Sequence, residues 1–285
     1  MASGKPGIVV DVPAANPARV GSLLASAAPA NAQGTDWEAG LQAAPQSCKT
    51  GEAQATCNPS TLTVADQPGF IDETAYVIEA GVICSTFGDR TTYGERAINT
   101  LLRNSSRLIE QEFELGTIAT AEGYNNFFLT DAPDELAVDL GAAAGTAYKV
   151  VKGFAGVEEL TMDKLGGTRC MIHVPVRVAA YLAFNNLIHQ EGNLLLSELG
   201  NIVVVGAGYS GASPAGAADS SNATAWIYGT DIVTLYVGQP VLTQDGLSQS
   251  LNREINEVEV RAYRYAATIN NGCANVAAKL TLEDI

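Results

Sequence analysis

The stretch from Asp89 to Gly116, DRTTYGERAINTLLRNSSRLIEQEFELG, repeats its apolar residues at the spacing of an α-helix. Tyr93, Ala97, Ile98, Leu101, Leu102, Ser105, Leu108, Ile109, Glu112 and Phe113 recur at intervals of mostly three and four, so one stripe is largely apolar. Arg96, Asn99, Arg103, Arg107, Glu110 and Glu114 occupy the rest of the surface, which predicts a polar face. Thr92 with Glu95 three positions later forms a capping box, and Gly116 is a permissive residue just past the end. At 1.5 Å per residue, about 24 residues reach roughly 35 Å, enough to cross a whole domain. An apolar stripe of that length requires an equally long surface to pack against.

The last part of the chain offers one. Val258, Val260 and Ala262 alternate with Glu257, Glu259 and Arg261, and the run continues through Tyr263 and Tyr265 to Ile269. Asn271-Gly272 marks a turn, after which Ala274, Val276, Ala278, Leu280 and Leu282 alternate to the end. A long strand lying beside a long helix makes the predicted class α+β. Further strands are expected at Tyr76 to Cys84, Cys170 to Val174 and Ile202 to Val205. Ala225 to Tyr228 and Ile232 to Val237 read as a hairpin about Gly229-Thr230-Asp231. Helices are expected near Asp131 and Pro133, over Ala147 to Leu165 with weak points at Gly153 and Gly156, and from Pro175 through Val178, Tyr181, Leu182 and Ile188.

The beginning of the chain differs in character. Residues 1 to about 34 are rich in Ala, Pro and Gly and read as an extended arm with a short apolar piece near Val20 to Ala27. Val20 to Gln33 has the outline of a weak signal-peptide core, but the apolar run is short and Asp11 precedes it, so cleavage is not expected. Asp36 to Asp66 predicts a projecting hairpin: Trp37 and Leu41 lead in, Pro45 to Pro59 form a turn-rich tip, and Thr61 to Val64 return. It holds too few large apolar residues to make a core alone.

Charge narrows the function classes. Among 285 residues, 16 Lys and Arg face 31 Asp and Glu, a formal charge of −15, which argues against a protein that holds nucleic acid by broad phosphate neutralisation. Only 16% of residues are charged, as in chains that bury surface against copies of themselves. Cys48, Cys57, Cys84, Cys170 and Cys273 have no metal-ligand spacing, and mostly free thiols are expected. Cys48 and Cys57 flank KTGEAQAT and could meet across a hairpin tip, although two unpaired thiols is the simpler reading. No apolar run approaches the length of a membrane span.

One motif has the appearance of an enzyme. IVVVGAGYSG, Ile202 to Gly211, matches G-x-G-x-x-G at Gly206, Gly208 and Gly211 directly after a strand, the outline of a flavin or nicotinamide site. That chemistry needs a helix to open at the glycines so that its amides meet the pyrophosphate. Here ASPAGAADSSNAT follows, with Pro214, Gly216 and helix-poor residues, and Asp231 falls in a predicted turn instead of ending a second strand. A glycine-rich loop without cofactor is the expectation. The two histidines, His173 in a strand and His189 near a helix end, have no neighbouring ligands. Glu158-Glu159 and Glu257 with Glu259 read as solvated faces. No catalytic, cofactor or metal residues are assigned.

The order of these segments has a familiar form. An Ala/Pro-rich arm, a projecting hairpin, a long helix ending in EQEFELG, the strand-Pro-helix CMIHVPVRVAAYL, SELGNIVVVGAGYSG, TAWIYGTDIVTLYVG and the terminal REINEVEVRAYRYAATINNGCANVAAKLTL follow one another. Together they resemble the major capsid proteins of tailed bacteriophages, which share a fold with the encapsulins. The resemblance implies an N-terminal arm at 1–34, an extended loop at 35–69, a peripheral domain at 70–145 and 238–270, and an axial domain at 146–237 and 271–285. It implies a structural protein, not an enzyme, that self-assembles into hexamers and pentamers of an icosahedral shell around double-stranded DNA. The shell would assemble in the host bacterial cytoplasm with a portal, a separate scaffold and decoration proteins as partners, and touch DNA only weakly. Some family members weld subunits through an isopeptide bond, for which Lys49, Asn252 or Asn256, and Glu259 as base would be the candidates here. By itself, Lys49 reads as a solubilising charge. An encapsulin shell and an oxidoreductase built on Gly206 to Gly211 are the alternative readings.

Overall fold

A computed structural model describes residues 19–29, 41–43, 71–85, 93–131, 147–214, 223–243, 251–252, 257–270 and 272–282. In chain order these form α1 (Leu23–Ser26), β1 (Ala28–Pro29), β2 (Leu41–Ala43), β3 (Ile71–Glu73), β4 (Tyr76–Ser85), α2 (Tyr93–Leu115), α3 (Thr117–Glu122) and β5 (Tyr148–Lys149). There follow α4 (Val150–Lys164), β6 (Met171–Pro175), α5 (Val176–Phe184), β7 (Ile188–Glu191), β8 (Leu194–Ser197), β9 (Ile202–Gly206) and β10 (Thr224–Thr230). The chain closes with β11 (Thr234–Val237), β12 (Val241–Leu242), β13 (Leu251–Asn252), β14 (Glu257–Ile269) and β15 (Asn275–Thr281). The capping residue Thr92, the helix expected near Asp131, the hairpin tip and its return strand lie outside the described residues.

Two sheets carry the fold. In the six-stranded sheet β14 is central: β4 runs antiparallel along one edge from Tyr76↔Ala266 to Ser85↔Glu257, and β11, β12 and β13 pair in turn along the other. The long helix α2 lies across this sheet, and Ala97, Leu101, Ile109 and Phe113 pack with Ile78, Ala262 and Ala266 in one core. The 23 residues of α2 are the predicted helix, and Gly116 ends it in the left-handed region at φ 56°. The seven-stranded sheet runs β5-β15-β10-β6-β9-β8-β7. Ile172, Val174, Val203, Val205, Ile227 and Leu280 face α4 and α5, and the alternate residues Met171, His173, Val204 and Tyr228 face the core beneath α2. Because both faces are covered, β6 and β9 are buried along their whole length, which is why they read as unbroken apolar runs.

Several sequence expectations are corrected. β10 and β11 are not a hairpin: β10 pairs with β15 and β6, whereas β11 pairs with β14 and β1. The chain therefore crosses from one sheet to the other at Asp231 to Val233, a step invisible to local turn chemistry. The helix after Pro175 stops at Phe184, and Ile188 and His189 belong to β7. Gly153 is no weak point of α4, since a β-carbon there would sit 2.1 Å from Leu280, so the missing side chain is what allows the helix to approach its sheet. The piece near Val20 is not simply extended: α1 buries Leu23 completely, and β1 pairs with β11. Cys273 is disulfide-bonded, and Cys170 is free and buried.

Candidate functional site

The glycine-rich loop after β9 is where the two sheets and α2 meet. Its backbone amides are already occupied. Glu114 accepts from Ser210 at 2.5 Å, Gly211 at 2.8 Å and Ala212 at 3.3 Å, and Glu110 accepts from Gly208 at 3.0 Å. Glu110 also accepts from the amide of Leu23 at 3.2 Å and from the Ser106 hydroxyl at 3.0 Å, tying the N-terminal piece to the same point. A concave run of N–H groups is an anion site in general terms. Here the anion comes from α2 of the same chain. Burial pushes the Glu114 carboxyl up, and the three amide donors pull against that shift.

The three glycines have packing reasons. A β-carbon on Gly208 would lie 2.2 Å from the carbonyl oxygen of Arg107, and one on Gly206 would lie 2.3 Å from the Tyr209 ring. Gly211 has φ +74° and takes a conformation that L-residues rarely adopt. In a dinucleotide site the second glycine admits pyrophosphate; in this loop it admits the backbone of α2. The described residues 207–214 form no helix, and the amides that a phosphate would need are held by carboxylates.

Glu110 and Glu114 therefore correct the predicted polar face of α2, being 0% and 1% exposed. Glu112, on the same turn, accepts from the amides of Ile118 at 2.9 Å and Ala119 at 3.0 Å and fixes the start of α3. A signal existed in the sequence. Three glutamates crowd the last turns of α2 where no basic residue offsets the negative end of the helix dipole. Such acids need donors from elsewhere in the fold.

The remaining candidates separate. Glu158 is buried, not solvated: the Ser197 hydroxyl donates to it, as does the Asn201 amide at 2.7 Å, while Asn201 in turn accepts from Cys170 N at 3.1 Å. His173 is 1% exposed, with Nδ1 2.9 Å from the Tyr209 hydroxyl and Nε2 2.9 Å from Thr230 Oγ1. Thr230 donates its only proton to the Asp231 carbonyl, so it accepts from Nε2–H, and Nδ1 accepts from Tyr209. Burial lowers His173 to about 3, which keeps the ring neutral. His189 is exposed, 3.4 Å from Glu198. Asn252 pairs with Glu257 at the end of the six-stranded sheet, Glu259 accepts from Arg261 Nε at 2.7 Å, and Lys49 and Asn256 lie outside the described residues. Among the described residues, no three His, Cys, Asp or Glu side chains gather as metal ligands. No described helix is long and apolar enough to cross a membrane.

No protein-family model and no curated protein sequence matches the chain. Solved structures do. A chain of Microbacterium phage Oxtober96 aligns over 99% of this chain and 96% of its own length, at 12% identity and a TM-score of 0.53. The capsid chain of an empty GTA particle aligns over 99% of this chain and 94% of its own, at 13% identity and a TM-score of 0.51. At such identities the likeness is one of fold. The long helix across a long-stranded sheet, joined through a carboxylate-held glycine loop to a second sheet, is thus an α+β fold shared with a phage chain and with the capsid chain of a GTA particle.

Proposed function

We propose that this chain is a major capsid protein, a structural subunit that closes into an icosahedral shell of hexamers and pentamers around double-stranded DNA. The observation that carries the reading is the end-to-end likeness in fold to a phage chain and a capsid chain, with almost nothing left over on either side. A carboxylate-filled glycine loop supports a structural role over a catalytic one. The virion capsid is then its location, a portal and a separate scaffold its assembly partners, and decoration proteins further candidates. The arm is assigned to 1–34, the extended loop to 35–69, the peripheral domain to 70–145 and 238–270, and the axial domain to 146–237 and 271–285. Within these bounds β11 is the strand that reaches from the axial segment into the six-stranded sheet. We take Lys49 as a surface charge, so subunits are expected to run as monomers on a denaturing gel; a ladder of higher species would assign it to a weld with Asn252 or Asn256.

Negative-stain electron microscopy of the purified full-length protein, with an absorbance spectrum of the same sample, tests the reading. Closed shells tens of nanometres across without a flavin band are expected. Copurifying enzyme cargo in place of DNA would redirect it to an encapsulin, and small oligomers with a flavin or nicotinamide signature would overturn it.

A further inference from the structure

β2 and β3 pair from Leu41↔Glu73 to Ala43↔Ile71 and form a two-stranded root that encloses residues 44–70. Thr74 and Ala75 alone separate this root from β4. At that joint the chain is fastened to the connection after α3. Thr74 N donates to Asn126 Oδ1 at 2.8 Å, Asn126 Nδ2 donates back to the Thr74 carbonyl at 2.6 Å, and Phe127 N donates to Glu73 Oε1 at 3.2 Å. The root is thus pinned beside its own hinge.

Two buried polar atoms at this joint have no partner. One is the second oxygen of Glu73, and the other is the hydroxyl of Tyr76, three positions on at the start of β4. From α2 the ionisable neighbour of Tyr76 is Glu112, already held by the amides of Ile118 and Ala119; burial first, then Glu112 and Glu73, push the Tyr76 phenol well up. From the connection after α3 come the neutral Asn126 side chain and the Phe127 amide. The part-buried cation of β14, Arg264, donates to the Gly238 carbonyl at 2.9 Å and lies 3.4 Å from the Ser105 hydroxyl. Among the described residues, no cation is bonded to Glu73.

A carboxylate shut away from water with a single amide donor is costly to keep charged, so the neutral acid is the form that fits. Burial accordingly raises Glu73 from 4.5 to about 8. Once its proton has passed to solvent, the charge reaches water at least cost by opening the joint, where three hydrogen bonds give way while the core beneath α2 stays closed. We propose that Glu73 is a proton-operated latch: as the neutral acid it seats β3 against Asn126 and Phe127, and its ionisation releases β3, and β2 with it, before the rest of the fold opens. The latch belongs to the subunit itself and holds whatever the subunit builds.

The test is amide hydrogen exchange of the full-length protein, read by mass spectrometry on peptides covering 71–76 and 124–128, with 202–206 of β9 as reference. Rates are corrected for the intrinsic base catalysis of exchange. If the released joint titrates at 4.5 and the seated one at about 8, the released fraction should grow about tenfold per pH unit between about pH 5.5 and 7, then level off above 8. Low urea should leave this opening unaltered, because little surface is exposed by it, while exchange in β9 accelerates. Glu73→Gln should flatten the pH profile, and Glu79→Gln, an exposed acid of β4, should keep it.

The unsubstituted protein can sink the proposal without any variant: a corrected rate at 71–76 and 124–128 that stays flat from pH 5.5 to 8 would do so. So would a urea dependence there equal to that of β9, the mark of a root that leaves only when the whole fold opens. A slope retained in Glu73→Gln, or lost in Glu79→Gln, would assign the proton to another group.

Discussion

The Glu114 carboxylate accepts the amide hydrogen of Gly211 at 2.8 Å, and through that bond the C-terminal turn of α2 holds the loop that follows β9. Ninety-seven positions separate the two residues. Removing the carboxylate in Glu114→Ala leaves the part-buried amide of Ser210 and the buried amides of Gly211 and Ala212 without their acceptor, at a cost on the order of 4 kcal/mol. Glu114→Gln, which keeps one acceptor oxygen, should lose less. Urea unfolding of the unassembled subunit measures both; a change below about 0.5 kcal/mol for the alanine variant would mean a solvated side chain after all.

Gly208→Ala places a β-carbon 2.2 Å from the Arg107 carbonyl oxygen and 2.7 Å from the Gln111 nitrogen. Both are backbone atoms of a helix, so neither can move cheaply. A loss of about 3 kcal/mol is expected, with the loop lifted from α2. Shell yield and unfolding midpoint should fall together.

Glu73 is 2% exposed, accepts among the described residues only the Phe127 amide at 3.2 Å, and has a second oxygen without a partner. Burial raises it from 4.5 to about 8. The folded chain therefore keeps a proton that the unfolded chain releases above 4.5, so this residue's contribution to stability is full below that pH, declines toward pH 8 and is flat beyond. Glu73→Gln should remove the decline and be the more stable protein at pH 8, as read by urea midpoints at pH 5 and 8.

His173 acts in the opposite sense. Burial lowers it from 6.5 to about 3, so the unfolded chain takes up a proton that the folded chain refuses, and stability falls as pH drops from 6.5 toward 3. Glu73→Gln should leave this slope in place. A His173 ring signal that titrates near pH 6.5 in the folded protein would contradict the bonded, neutral ring.

Much of this arrangement was legible before folding. The apolar stripe from Tyr93 to Phe113 and the alternation from Val258 to Leu282 are periodic, and periodicity is set by helix and strand geometry alone. The crowding of glutamates at the end of α2 was legible, but the partners of Glu110, Glu114 and Glu158 were not. A carboxylate looks the same in sequence whether it faces water or a buried amide, and apart from the Ser106 hydroxyl four positions from Glu110 its donors here lie 39 to 98 positions away. The crossing at Asp231 escaped for a related reason, since a turn between two strands does not state which sheet the second strand joins.

The sequence by itself determined the long helix, the long strand, their pairing as an α+β chain and the absence of a crossover helix pattern after Gly211. Those properties follow from side-chain spacing and local backbone preference. Only the tertiary structure decided that the glycine loop is filled by Glu114, that the last turns of α2 are buried with their three glutamates, and that β10 and β11 serve different sheets. Each depends on groups far apart in the chain meeting where water is excluded, and desolvation there makes a paired polar group stable and an unpaired one costly.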